Sequence, residues 1–575
     1  MKFRHFTVAL LIVFYLINFN LAKTFDEKTS PKAILVTPSA PKFSDAERQT
    51  ELAKRRAEVF KRMAANSILV LRSAEPRNYA GDVDFMYRQE NNFYYLTNLK
   101  QKNAALVLVK NGSAVQEFLF LPKRNPQNET WNGKMYSNED ATRISGLKNI
   151  VNAAEFSEFS QALKAKEAFT STSGTNIPTD KETIYLLLPE TEQDNEGKAE
   201  FQRENEFRNI LGERKVENAR PIFDDLRLVK SPFELKLLQH AIDITTEAQM
   251  RSMAMVGRAK MEYEVQAEVE YTFRRRNADY WGYPSIVGCG PNATTLHYEE
   301  SQSAVNQNEL LLMDVGAEYD HYTADVTRTF PVSGKFSKEQ ADIYRIVYDA
   351  QESAAATIKP GANFEMPSEA ATATIKNGLA KLGLITAPNA TYEVVFNGQK
   401  VSVPQYSLWF MHGWGHWLGM NVHDVGDYGA AFKEGMVMTN EPGIYIREDA
   451  LDYVADTPAN RQFLAKVRPI FEKYKNIGVR IEDDMLVTKT GVEWMTKNLP
   501  RKLEDVEAFM AQASKEFQFS SLPKTENPQF AALDFDTNLF VNNVSTNQIM
   551  SGKTIRKGWI SSGKAIANSG LQHAE

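Results

Sequence analysis

The chain has 575 residues, 43% of them hydrophobic and 24% charged, with a formal net charge of -6. That length exceeds what one hydrophobic core organises, and the acidic balance leaves no basic footprint for nucleic acid. A single cysteine, Cys289, excludes an internal disulfide framework and any cysteine-rich zinc site, so metal ligation falls to histidine and carboxylates, which suit harder ions such as manganese.

Residues 1–22 place Lys2, Arg4 and His5 ahead of an apolar run that ends at the small residue Ala22. This pattern predicts a secretory signal peptide, and with it an exported protein, periplasmic or secreted. The alternative is an uncleaved anchor, but the run is short for a span and Asn18 and Asn20 interrupt it, so no stable membrane span is expected after cleavage. Five N-x-S/T sequons begin at Asn111, Asn128, Asn292, Asn389 and Asn543. The one at Asn292 lies close to His297 and is a poor place for a sugar.

After a polar linker (23–44), residues 45–66 have the periodicity of an amphipathic helix. SILVL (67–71), FYYL (93–96), AALVLV (104–109) and EFLFL (117–121) read as strands, and the alternation of strands with helical stretches predicts an α/β N-terminal domain over 45–225. Ser231, Pro232 and Glu234 form a capping box that opens a helix to about Met255 and a second domain over 226–500. Helices are expected at 262–277, 337–358 and 366–382, and strands and turns at 285–330. A last strand is expected at 477–488 and a closing amphipathic helix at 503–517. Beyond it lies a Ser-, Asn-, Thr- and Lys-rich extension to residue 575 without sustained periodicity.

The chemistry-bearing residues fall in the second half. HGWGHWLGMNVHDVG (412–426) holds His412, His416 and His423, three of the chain's eight histidines, and Glu441 follows just before Pro-Gly. Glycines at 413 and 415 argue against a helical His-x-x-x-His pair and for a strand or loop in which the backbone crowds a ligand. In ELLLMDVGAEYDHYTADVTRTF (309–330), a hairpin centred between Tyr319 and Asp320 would set Asp314 directly opposite Asp325. In IGVRIEDDMLVT, Arg480, Glu482 and Asp484 share one strand face, which reads equally as a solvated charged face. Asp314, Asp325, Glu441, Glu482 and His416 together make four carboxylates and one imidazole. Such a set, partly buried, requires compensating cations, and two divalent ions would supply them.

Over residues from roughly 43 to 500 the sequence resembles the aminopeptidase P (Xaa-Pro aminopeptidase) family of pita-bread metallopeptidases. The motifs are ERQTELAKRRAEVFKRM, DFMYRQENNFYYLTNL, LHYEES, DVGAEYDHYTADVTRTFPVSGKF, HGWGHWLGMNVHDVG, EPGIYI and GVRIEDD. The resemblance implies an α+β pita-bread catalytic domain and a pair of divalent metals, most often manganese. Asp325 and Glu482 would bridge the pair, Asp314 would complete one site, and His416 and Glu441 the other. It further implies substrate-contacting roles for His297, His412 and His423, proton transfer by Glu441, and a supporting Arg480. The reaction implied is attack by a metal-bridging hydroxide on peptides with proline in second position, in a homo-oligomer, dimer or tetramer. A prolidase restricted to Xaa-Pro dipeptides, or a non-catalytic peptide-binding relative, are the alternatives. Asn421 and Asn440 depart from the family's usual residues, and neither is a ligand. The 30 or so residues between EPGIYI and GVRIEDD are expected to be a surface excursion.

Overall fold

The computed structural model describes residues 33–188, 198–396 and 399–517. The expected signal peptide (1–22), part of the linker and the extension beyond residue 517 lie outside them.

The N-terminal half is built on one mixed sheet. Helix α1 (Asp45–Arg62) starts at Ser44, which with Glu47 forms a capping box, and buries Leu52, Val59 and Phe60. It leads into β1 (Asn66–Arg72), the centre of the sheet. Next comes α2 (Asn91–Thr97), then the hairpin β2 (Ala105–Asn111) and β3 (Ala114–Leu121), and then β4 (Asn149–Asn152), β5 (Thr183–Leu186) and β6 (Lys215–Asn218). The order is β6-β5-β1-β2-β3-β4, with β2 antiparallel to both neighbours and the other pairings parallel. Leu, Val and Ile dominate β1 and β2 because both faces of these strands are covered.

Two expectations fail in this half. FYYL is not a strand but part of α2: the Glu90 side chain caps it by accepting from Phe93 N at 2.6 Å, Asn98 closes it in the left-handed region, and all seven residues are buried. An aromatic run favours strands only where a sheet edge receives it, and here tertiary burial decides. The segment before α1, read as a linker, is tied down. Thr37 donates through N and Oγ1 to Glu247 Oε2 at 2.7 and 2.6 Å.

Helix α3 (Arg220–Leu228) passes the chain to α4 (Pro232–Met255), which begins with the expected capping box, and to α5 (Glu262–Arg275). Strands β7 (Ile286–Cys289), β8 (Leu310–Val315) and β9 (Val326–Pro331) form an antiparallel sheet in the order β7-β8-β9. Helices α6 (Lys338–Ala355) and α7 (Glu365–Leu382) pack against each other and into the core that holds Trp409 and Trp417. A second antiparallel unit pairs β10 (Val437–Asn440) and β11 (Gly443–Ile446) with a later pair of strands. The stretch between them is no mere surface excursion. It contains α8 (Pro458–Tyr474), which buries Phe463, Val467 and Phe471 in that same core. The expected last strand is split into β12 (Ile477–Arg480) and β13 (Asp483–Val487), and α9 (Leu503–Glu516) closes the described chain. One hydrophobic cluster runs from Phe93 and Tyr94 of α2 through Leu237 and Leu238 of α4 to Leu418 and Val437, so residues 33–517 pack as one unit. No helix among the described residues is long and apolar enough to cross a membrane.

Candidate active site

The break between β12 and β13 makes the site. Asn440 pairs with Asp483 and Gly443 with Arg480, so the same register carried across the gap sets Glu441 opposite Glu482 and Pro442 opposite Ile481. Proline has no N–H for the ladder, and the pairing opens there. The two freed N–H groups bond elsewhere, Glu441 N to Trp414 O at 2.8 Å and Glu482 N to Thr327 O at 3.1 Å. Both carboxylates thus sit in a window in the sheet.

Asp314 and Asp325 reach the same window from β8 and the residue before β9. Asp314 does not lie opposite Asp325 as expected. Its partner is Thr327, because the hairpin turns at Asp320 and His321, both at positive φ, one residue later than the expected centre. The slip moves the partner by two residues, and side chains alternate with period two, so Asp325 keeps the face of Asp314 as a diagonal neighbour. His416 comes from the glycine-flanked loop, which is not helical. A Cβ on Gly415 would stand 2.3 Å from Thr439 O, so only glycine lets this loop lie against β10.

Asp325, His416 and Glu482 each offer a ligand atom, all within 4.8 Å of one another. His416 Nε2 lies 3.2 Å from Asp325 Oδ2 and 3.4 Å from Glu441 Oε1. Its Nδ1 is 3.1 Å from Trp417 O, a carbonyl that can only accept, so Nδ1 carries the hydrogen. The Nε2 lone pair then faces two carboxylate oxygens, an arrangement that needs a proton or a metal cation between them. Tyr283 makes the same point: its hydroxyl oxygen is 2.5 Å from Asp314 Oδ1 and 2.5 Å from Asp325 Oδ1, yet it has one hydrogen to give. The donor set therefore fits divalent cations, of oxygen- and imidazole-preferring type.

The electrostatics agree. Burial, then the neighbouring Asp325, Glu441 and Asp314, push the Glu482 carboxyl well above its ordinary range, and burial followed by Asp314 raises Asp325. Burial raises Glu441 to about 7. Burial would lower His416, but the Asp325 hydrogen bond and the charges of Glu441 and Asp325 carry it up to about 9. Asp314 alone is held low: burial opposes its charge, but Arg480 Nη2 sits 2.5 Å from Oδ2 and prevails.

Arg480 also donates from Nη1 to Tyr445 Oη at 2.8 Å. Since Arg480 can only donate, the Tyr445 hydrogen is free to go to His412 Nε2, also 2.8 Å away, while His412 Nδ1 donates to Gly413 O at 2.7 Å. This fixes the His412 tautomer, and burial together with Arg480 lowers its pKa to about 3, so the ring is neutral. His423 lies at the rim, edge-on to His416 with ring centroids 4.5 Å apart. His297 is exposed. Asp314, Asp325, His416, Glu441 and Glu482, with Tyr283, Arg480, His297, His412 and His423, line one cavity of about 390 Å³. Asp484, which shares the buried side of this strand, accepts from Asp325 N at 3.2 Å and is not solvated.

Every residue singled out from sequence for the site is gathered here. Tyr283, Tyr445 and Thr327 were missed. Thr327 donates to Glu482 Oε2 at 2.6 Å. For Tyr445 a signal existed, because Gly443 two residues before it leaves room that a Cβ would deny, 2.3 Å from the tyrosine oxygen. Tyr283, an aromatic in a turn before Pro284, carries none.

Carboxylates from three strand regions and one imidazole, converging on a cleft in a pita-bread fold, define a metal-dependent hydrolase. A sequence model of metallopeptidase family M24 matches residues 236–489, and one of the aminopeptidase P N-terminal domain matches residues 52–170. The Xaa-Pro aminopeptidase of Haemophilus influenzae is 34% identical over 464 residues, spanning 80% of this chain and 97% of that protein. The Xaa-Pro aminopeptidase of Escherichia coli is 31% identical, spanning 82% of this chain and all of its own length. Among solved structures, a glutamate-to-alanine variant of Escherichia coli aminopeptidase P in complex with substrate superposes with a TM-score of 0.67 at 29% identity, covering 83% of this chain and 100% of its own. Pseudomonas aeruginosa aminopeptidase PepP gives 0.66 at 30% identity, covering 81% and 99%. The chain belongs to the aminopeptidase P family of M24 metallopeptidases, enzymes that work with divalent metal ions.

Proposed function

We propose that this protein is an exported Xaa-Pro aminopeptidase, releasing the N-terminal residue from peptides with proline in second position. The observation that carries the reading is the set of mutually unsatisfied acceptors around His416 Nε2 and Tyr283 Oη. In this reading Asp314, Asp325, His416, Glu441 and Glu482 hold two divalent ions, manganese being the best match to a thiolate-free oxygen and imidazole site. Bound there, the ions would supply positive charge for the developing oxyanion and lower the pKa of water.

The remaining work falls to the chain. Glu441, raised to about 7, is matched to take a proton from the attacking water and to pass one to the prolyl nitrogen as it leaves. His423 at the rim would donate to the carbonyl oxygen as charge builds on it. His412, fixed in its tautomer by Tyr445, and His297, which lines the same cavity, would hold the substrate on either side of the scissile bond. Arg480 neutralises part of Asp314 and orients Tyr445. The substrate's free amino group would sit near the carboxylates, by Asp314. The apolar run at residues 1–22 supports export, and the family supports a dimer or tetramer.

Hydrolysis of an Ala-Pro-Ala tripeptide beside an Ala-Pro dipeptide, by protein stripped of metal and reloaded with manganese, tests the assignment. The expected result is release of alanine from the tripeptide. Turnover of the dipeptide alone would make the protein a prolidase, and turnover of neither would overturn the peptidase reading.

A further inference from the structure

Outside the metal ligands, Glu262, at the first turn of α5, is a fully enclosed carboxylate, 0% exposed, with no ion pair among the described residues. A buried carboxylate without a counter-charge is strongly unfavourable unless hydrogen bonds replace its water. Here four do, filling its four lone-pair sites. Cys289 N donates to Oε1 at 2.7 Å and Asn292 Nδ2 to the same oxygen at 2.9 Å. Tyr298 Oη and Ser303 N each donate to Oε2 at 2.9 Å. Glu262 N answers by donating to Ser303 O at 3.0 Å.

All four donors belong to one loop. Two are backbone groups at its ends, residues 289 and 303, and one is the side chain next to His297. Tyr298 points inward to Glu262, while its neighbour His297 is exposed and lines the cavity. We propose that Glu262 is a positioning residue for His297, gripping both ends of the loop so that this imidazole faces the cavity at a fixed height. The proposal rests on the peptidase reading for the consequence, but not for the grip itself.

Glutamine at position 262 keeps the shape but offers one oxygen and an NH2. Tyr298 and Asn292 can reverse their roles, whereas the N–H of Cys289 or of Ser303 is left facing a donor whichever way the amide turns. In E262Q holoenzyme, hydrogen exchange at Cys289 N or Ser303 N should accelerate at least tenfold, and kcat/KM for Ala-Pro-Ala should fall about tenfold or more. In the His297→Ala background, the added E262Q should change kcat/KM less than twofold, because the residue it positions is gone. Y298F, which removes one donor and leaves the backbone bonds, should give a smaller loss with the same dependence on His297, and it stands in if E262Q does not fold. Unchanged exchange at both amides, or an equal fold-loss with and without His297, overturns the proposal. A wild-type enzyme inactive on the tripeptide would instead overturn the peptidase reading, and the exchange rates would still decide the grip.

Discussion

Two buried acids stand next to each other in the chain and are treated in opposite ways. Asp483 receives Arg328 Nη2 at 2.6 Å, Gln351 Nε2 at 2.8 Å and the Thr496 hydroxyl, so its charge is fully met from within the fold. Among the described residues Glu482 receives only the Thr327 hydroxyl, and it faces Asp325, Glu441 and Asp314. Both are about 1% exposed. Burial alone therefore does not mark a functional acid. An acid that the fold leaves without counter-charge, and without enough hydrogen bonds to stand in for it, does, and the missing charge tells what the site takes up.

The contrast can be broken most forcefully at the cluster. Glu482→Ala or Asp325→Ala should remove tight metal binding and lower turnover on the order of a thousandfold or more, read by metal analysis and tripeptide hydrolysis. Retention of native metal content with near-native activity in either variant would break the assignment. Asp483→Ala should act through stability instead: it strands Arg328, which is fully buried, and should cost about 3–5 kcal/mol in denaturant unfolding. In metal-stripped protein at mildly alkaline pH, Glu482→Gln should raise the Tm while Asp483→Asn lowers it. Equal signs would erase the distinction between the two acids.

A smaller effect is expected one contact further out. Tyr445→Phe leaves His412 Nε2 without its donor and should reduce kcat/KM about tenfold with metal content unchanged.

The pH dependence sharpens the same comparison. Glu441 at about 7 and His416 at about 9 are both raised above their unfolded values. The folded, metal-free state therefore binds more protons than the unfolded chain. The stability tied to these groups is present at low pH and is lost as pH rises, for Glu441 between its ordinary value and about 7, and for His416 up to about 9. Thermal unfolding of metal-stripped protein should show this decline, and saturating manganese should suppress it.

Much of this was legible in the chain because the ligands carry charge and sit in runs that must be buried. Asp314 follows LLLM, and Glu441 precedes a proline that forces the sheet open. The hairpin register was misjudged by two residues without harm, since an even slip preserves the face. What was hidden has no charge signature: Tyr283 and Thr327 look like ordinary neighbours in sequence, and their roles exist only once β8, β9 and the split strand converge. The helical FYYL and the buried face of α8 were hidden for a related reason, because local pattern does not show which core will receive an apolar run.

The central claim is that the fold withholds counter-charge from these carboxylates so that two divalent cations provide it. Titration of metal-stripped protein with manganese, with bound metal and Ala-Pro-Ala hydrolysis followed together, tests it most directly. The account predicts two ions bound per chain and activity that returns as they bind. Full activity in the stripped protein, or no binding at all, would contradict it.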